Sequence, residues 1–205
     1  MSAPAARIKR LYELLYHQSD LMGDETSYVN MGYWPRESMT IDEASQALAD
    51  LVADAGEFGP GDRILDVGFG YGDQDFRWLE TCKPEKIVGV NVTQGVATAL
   101  PFPDETFDKV VALESAFHFS TRDQFFAQAL RVLRPGGLLV TADVIPFEVE
   151  EKDSADARKV QPPAFRSRAG IVYRTVLRRG LWDGEKLKSE LAKIDYVVAV
   201  ARKKA

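Results

Sequence analysis

The chain has two histidines, and one of them stands where a parallel sheet does its chemistry. His118 follows an apolar run in FDKVVALESAFHF. That places it at the carboxyl edge of a strand, the edge at which open α/β sheets bind ligands. Imidazole titrates near neutrality, so His118 is a candidate general base. Asp143, in TADVIP at the end of the next apolar run, reaches the same edge. The plainer alternatives are a packed, hydrogen-bonded histidine and a strand-end cap. His17 lies in an amphipathic N-terminal pattern and reads as structural.

The second chemical cluster is ILDVGFGYGDQ, residues 64–74. An apolar strand runs straight into Gly68, Gly70 and Gly72, and a helix follows. Glycines at such a junction let the backbone turn sharply and approach a ligand closely. The helix start adds unpaired N–H groups beside it. The spacing is G-x-G-x-G, whereas a dinucleotide site uses G-x-G-x-x-G. Asp66, just before the glycines, favours a ligand carrying an ammonium or sulfonium over a pyrophosphate. The alternative is a glycine-rich turn with no ligand.

These residues need a scaffold, and the chain spells one out. Thr40 with Glu43 forms a Thr-x-x-Glu capping box. The helix it opens runs to about Ala55, with Ala44, Leu48, Leu51 and Val52 inward and Gly56 as its stop. RILDV, KIVGVNV, FDKVVALES and LLVTADVI read as continuously apolar strands. DQDFRWLETCK and STRDQFFAQALRVL read as helices between them, the latter with a Ser120 cap and ended by PGG. FEVEEKD is a weaker strand, 163–193 has a helical pattern, and IDYVVAVARK is a last strand. Apolar strands alternating with helices predict an α/β fold with a mostly parallel sheet covered on both faces. The chain divides into an N-terminal helical segment, 1–58, and a core, 59–205, with a helical insertion near 160–193.

Bulk properties exclude several classes. A net charge of −5 over 205 residues argues against nucleic acid or an anionic membrane as partner, because both need a basic surface. The single cysteine, Cys82, allows no internal disulfide and fits a reducing, cytoplasmic location. No His/Cys/carboxylate cluster has ligand spacing, so no metal is expected.

ILDVGFGYGDQ, then VGVNVT, then ATALPFPDETFDKVVALESAFHF, then ALRVLRPGGLLVTADV closely resemble, in that order, the class I S-adenosylmethionine (SAM)-dependent methyltransferases. The nearer likeness is to the small-molecule branch of erythromycin-type and rebeccamycin-type sugar O-methyltransferases. The resemblance implies a Rossmann-like sheet whose terminal strand runs antiparallel, and SAM as cofactor with S-adenosylhomocysteine as product. By that likeness Asp66, Gly68, Gly70 and Gly72 cradle the methionine part of the cofactor. Asn91, where the family usually has Asp or Glu, holds the ribose, with Thr93 and Ala97 further along the cofactor. Tyr33 and Trp34, in GYW, belong to a lid over it. Glu114 contacts the cofactor or caps the turn after its strand. His118 and Asp143 fall at the places of the family's proposed catalytic groups. The implied activity is O-methylation of a small hydroxylated natural product or sugar. The alternatives are N-methylation of a small amine, and a reduced, non-catalytic SAM-binding or scaffold protein.

One stretch departs from the pattern. After VGVNVTQ the family continues with a helix and a strand, whereas here GVATALPFPD follows at once, and Val96 stands where an adenine-contacting Asp is expected. A second join falls near Pro146. The first gap leaves KIVGVNV as an edge strand, which invites pairing with another chain and a homodimer.

Overall fold

The computed structural model describes residues 25–36, 38–91, 97–116, 119, 122–146, 173–175 and 194–204. The expected N-terminal helix, Thr93, His118, the Ser120 cap and FEVEEKD lie outside them.

The predicted capping box is present. Thr40 Oγ1 accepts from Glu43 N at 3.2 Å, and Thr40 N donates to Glu43 Oε2 at 2.8 Å. Two of the N–H groups that a helix start leaves orphaned are thereby satisfied. Helix α1, Ile41–Ala55, buries Ala44, Leu48, Ala49, Val52 and Ala53. Gly56 ends it for a reason other than backbone freedom. Its φ is an ordinary −81°, but a Cβ there would come within 2.4 Å of the Phe58 ring.

Strands β1 (Arg63–Val67), β2 (Lys86–Val90), β3 (Phe107–Leu113), β4 (Leu133–Pro146), β5 (Tyr173–Thr175) and β6 (Ile194–Arg202) form one sheet in the order β2-β1-β3-β4-β6-β5. The β2-β1, β1-β3 and β3-β4 pairs are parallel; β6 is antiparallel to both β4 and β5. The expected antiparallel terminal strand is therefore in place. So is the expected edge, because β2 has a strand on one side only among the described residues.

Alternation along the strands divides the core into two layers. Leu65, Val67, Val110, Ala112 and Leu139 pack with Phe125, Ala129 and Val132 of helix α3, Arg122–Val132. Ile64, Val111, Leu113, Val140 and Val198 form the other layer, with α1 and with Trp78 of helix α2, Asp73–Thr81. Trp78 is fully buried; its indole N–H donates to Ala49 O at 2.9 Å and its ring meets Phe58 edge-on. Burying an indole while satisfying its one donor secures α2 to α1.

Two segments differ from their sequence reading. PGG was expected to separate helix from strand, yet β4 begins at Leu133 directly after α3. Leu133 pairs with Phe107, and the register shifts before Lys109 pairs with Leu138, so the glycines are taken up as an irregularity inside the strand. Within the expected helical insertion, Tyr173–Thr175 is a strand, β5, paired to Tyr196–Val198. The sequence VYRTV is rich in β-branched and aromatic residues, and the free side of β6 gives it a partner.

Candidate functional site

The direction of chain travel reverses between β1 and β3. From β1 the chain moves outward to β2, then returns past β1 to β3. Such a switch point opens a crevice at the carboxyl ends of the strands. Three segments converge there: the glycine loop after β1, Glu114 and Ser115 after β3, and residues 25–34, which lie as a strap across both.

The glycine loop needs its glycines at specific places. Gly68, Gly70 and Gly72 have φ of 93°, 58° and 91°, the left-handed region that a Cβ disfavours. Gly72 caps α2 in that conformation. A Cβ on Gly70 would lie 3.1 Å from Val29 of the strap. Gly68 N donates to Val90 O at 2.6 Å, and Asn91 Nδ2 reaches Gly70 O at 3.4 Å. Asn91, expected at the ribose, is thus also a brace for the loop.

Beneath the loop lies Asp66. Strand alternation turns it, like Ile64, toward α2, and it is fully buried. Gln74 Nε2 donates both to Asp66 Oδ2 at 3.0 Å and to Phe69 O at 3.1 Å, tying the acid to the loop. The remaining oxygen, Oδ1, is buried without a partner, as is Oδ1 of Asp75, whose carboxyl acts on that of Asp66. With both groups ionised neither Oδ1 has a donor; one proton shared between them satisfies both. Burial, reinforced by the charge of Asp75, pushes Asp66 well above the usual carboxylate range. Burial raises Asp75 to about 6.

The strap is held at several points. Asp42 accepts from Glu25 N and Thr26 N, Asp73 Oδ1 accepts from Ser27 N at 3.0 Å, and Glu114 Oε1 accepts from Met31 N at 2.8 Å. Glu114 itself has φ 46° and donates its N–H to Ala142 O at 2.7 Å, which joins the ends of β3 and β4. Ser115 Oγ donates to Val67 O at 2.5 Å and joins β3 to β1. Tyr33 packs on the α1–α2 layer, and its N–H donates to Ala44 O; Trp34 Nε1 donates to Met31 O. Both aromatic residues are thereby built into the strap.

Of the expected site residues, Asp66, the three glycines, Asn91 and Glu114 gather around one crevice. Asp143 comes next after Ala142 on β4, on the Glu114 side of it, with Oδ1 buried. Ala97 is buried in the α3 layer. Gln74, Asp75 and Ser115 were not anticipated. Gln74 had a signal: a buried acid before a glycine loop needs a donor, and the first turn after that loop is where one comes within reach.

The donor set suits a cationic cofactor. The loop is cleared of side chains by its glycines, an anionic pair lies under it, and no Lys or Arg takes part in the loop's hydrogen bonds among the described residues.

Comparison with known proteins agrees. Residues 65–141 match the family model described as a methyltransferase domain, and residues 2–97 match that of mycolic acid cyclopropane synthetase. Together these matches span residues 2–141, and over them the chain is similar to SAM-dependent methyltransferases. It is 40% identical over 190 residues to erythromycin 3''-O-methyltransferase of Saccharopolyspora erythraea, covering 82% of this chain and 62% of that one. It is 33% identical over 153 residues to 27-O-demethylrifamycin SV methyltransferase of Amycolatopsis mediterranei, covering 63% and 56%. The chain thus spans less than two thirds of the length of these curated relatives. Among solved structures, the (4+2)-cyclase SpnF aligns with a TM-score of 0.75 at 20% identity, covering 97% of this chain and 95% of that one. The mycolic acid cyclopropane synthase CmaA1, complexed with S-adenosylhomocysteine, aligns at 0.65 and 20%, covering 94% and 95%. At such identities the likeness establishes the fold alone.

The same matches run over more positions in the relatives than in this chain. The erythromycin match runs over 190 positions but occupies 82% of 205 residues, about 168, so about 22 positions of the relative face a gap. The rifamycin match gives 153 against about 129, a gap of about 24. A helix and a short strand need about that many residues.

Proposed function

We propose that this chain binds SAM across the glycine loop and transfers its methyl group to a hydroxyl oxygen of a small natural product or sugar. The observation that carries the reading is the glycine loop seated over Asp66 and Gln74 at the β1/β3 switch point. Bound SAM supplies a sulfonium-activated methyl group for in-line displacement. In this reading the protein aligns the acceptor and excludes water. Asp66 and Gln74 hold the loop in shape, the strap closes over it, and Asn91 serves the ribose while bracing Gly70. His118 takes the acceptor's proton, and Asp143, at the end of β4, orients the base or the acceptor.

The erythromycin and rifamycin relatives, both named for methyl transfer to oxygen, support a hydroxyl acceptor over an amine. The shortfall of about 22 positions against the erythromycin relative favours a second reading, a reduced SAM-binding protein without turnover. Calorimetric titration with SAM, followed by mass spectrometry of a panel of hydroxylated macrolides and sugars incubated with SAM, decides between them. Binding with methylated product supports the enzyme. Binding without product on any acceptor, oxygen or nitrogen, supports the reduced protein, and no binding refutes both. The open edge of β2 and the exposed Phe76 and Leu79 of α2 are the surfaces offered to the expected homodimer, which sedimentation equilibrium tests.

A further inference from the structure

The carboxyl pair under the glycine loop has a use that a loop brace alone does not need. Asp66 would be a sufficient acceptor for Gln74 as a lone carboxylate. Here it is fully buried and set against a second acid, Asp75, from the first turn of α2. In the sheet Asp66 is flanked by Gly89 and Val111, neither of them titratable. The charged and titratable groups on the surrounding elements include Asp73, Arg77 and Glu80 on α2, Asp42, Glu43, Asp50 and Asp54 on α1, and Glu25, Tyr28 and Tyr33 on the strap. Arg77 is committed to Asp50, with Nε–Oδ1 and Nη2–Oδ2 both 2.6 Å. Asp73 is occupied by Ser27 N, and the Tyr28 hydroxyl donates to Asp73 O. Oδ1 of Asp66 and Oδ1 of Asp75 are both buried without a hydrogen-bond partner, and the two carboxyls act on each other; such a pair holds one proton, because two interacting like charges resist joint ionisation.

We infer that Asp66 and Asp75 form a proton-sharing pair that releases its proton when a cationic ligand occupies the glycine loop, and that this couples the chain's preference for SAM over its demethylated product to pH. The inference rests on the proposed cofactor reading. In the free protein the pair carries a single negative charge. A cation above the loop offsets the repulsion that kept the second carboxyl protonated. The O–H bond on the pair breaks, the proton leaves to solvent, and the pair becomes a dianion facing the cation. SAM has the sulfonium charge, whereas S-adenosylhomocysteine has a neutral thioether and is otherwise the same ligand. By linkage, the ligand that drives proton release binds more tightly as pH rises, by up to tenfold per unit while release is complete. The ligand that does not drive it changes less. Asp75 is therefore a positioning and proton-holding residue, acting on the cofactor through Asp66.

Burial and mutual charge raise both acids, Asp75 to about 6 and Asp66 well above the usual carboxylate range. The test has two measurements. Infrared difference spectroscopy of the ligand-free protein at pH 7 is expected to show a protonated carboxyl band that disappears in Asp75→Asn. Calorimetric titration of SAM and of S-adenosylhomocysteine, each in phosphate and in Tris, counts protons released on binding. Wild type is expected to release more protons with SAM than with the product, and its SAM-to-product affinity ratio is expected to rise between pH 6 and pH 8. Asp75→Asn is expected to bind both ligands with equal proton counts and a flat ratio. Asp66→Asn serves as a second variant, with the same expectation, if the first fails to fold. Equal proton counts for the two ligands in wild type, or absence of the carboxyl band, overturns the inference and leaves the cofactor reading standing. Failure of both ligands to bind overturns the cofactor reading and this inference together.

Discussion

Arg131 holds the loop that leads into β3. That loop, 97–106, has no helix or strand of its own to hold it, yet it places Ala97 and Leu100 in the core. The Arg131 guanidinium reaches back from α3 and grips that loop. Nη1 donates to Phe102 O at 2.7 Å and to Asp104 Oδ1 at 2.8 Å, and Nη2 donates to Leu100 O at 2.8 Å. A hydrogen bond from a charged donor contributes about 1.5–3 kcal/mol. The side chain is 30% exposed, so the low end applies to each of the two carbonyl contacts. Asp104 is 72% exposed, and a pair of that kind adds close to nothing. Arg131→Ala is therefore expected to cost about 3 kcal/mol. Arg131→Lys, which keeps the charge but loses the fork, is expected to cost about half of that. Urea denaturation is the assay. With a slope of roughly 2 kcal/mol per molar for a domain of this size, the alanine variant should unfold at about 1.5 M less urea with the slope unchanged. Amide exchange at Glu105 and Thr106, whose N–H groups donate to Arg131 O and Val132 O, should accelerate together. A midpoint shift under about 0.3 M, or a lysine variant as stable as wild type, would refute the idea that the fork holds the loop.

Three further expectations follow from the site. Gly70→Ala meets both a φ of 58° and Val29 at 3.1 Å. It should lose about 1–2 kcal/mol in thermal unfolding, and adding Val29→Ala should recover only the steric part. Glu114→Ala removes the acceptor for Met31 N, so limited proteolysis should cut within residues 25–36 sooner while the sheet stays resistant. The third concerns pH. Asp75 titrates at about 6 in the folded chain and near 3.9 when unfolded, so its contribution to stability is complete below about pH 4 and is lost as pH rises through 6. The loss is bounded at about 3 kcal/mol. Asp75→Asn should flatten that fall between pH 4 and pH 7 in a thermal unfolding series.

Elements whose apolar residues follow one period were legible in the sequence. α1 declares both its cap and its buried face, and the alternation in RILDV and FDKVVAL assigns each residue to one of the two layers. β5 was not legible, because VYRTVL satisfies two periods. Val172, Tyr173, Val176 and Leu177 suit one helical face, while the β-branched and aromatic content suits a strand, and only the open side of β6 decides. At the site, the glycines and Asp66 were legible because they form a linear motif. The pairing of Asp66 with Asp75 was not. It spans a strand, a left-handed turn and the start of a helix, and nothing in the spacing alone says that the two carboxyls face each other. The Arg131 fork was hidden for a similar reason, since its partners are main-chain carbonyls that no side-chain pattern announces.

The place of β6 has a consequence for how the chain folds. β6 lies inside the sheet, between β4 and β5, and its pairs with β4 join residues 48 to 64 positions apart, from Pro146–Ile194 to Leu138–Arg202. Until residues 194–202 arrive, β4 is an open edge with Val140 and Ala142 exposed on one flank. Contacts of such long range are slow to form, because loop closure must precede any gain from them. The parallel half, β2-β1-β3-β4, can gather early from local helix–strand units, but it waits for β6 to close its far side. During synthesis that interval lasts for at least the time needed to add those residues, several seconds at about 5–20 residues per second. An unpaired apolar β4 in that interval is the point at which misassembly competes with folding, and a chaperone that caps strand edges would act there.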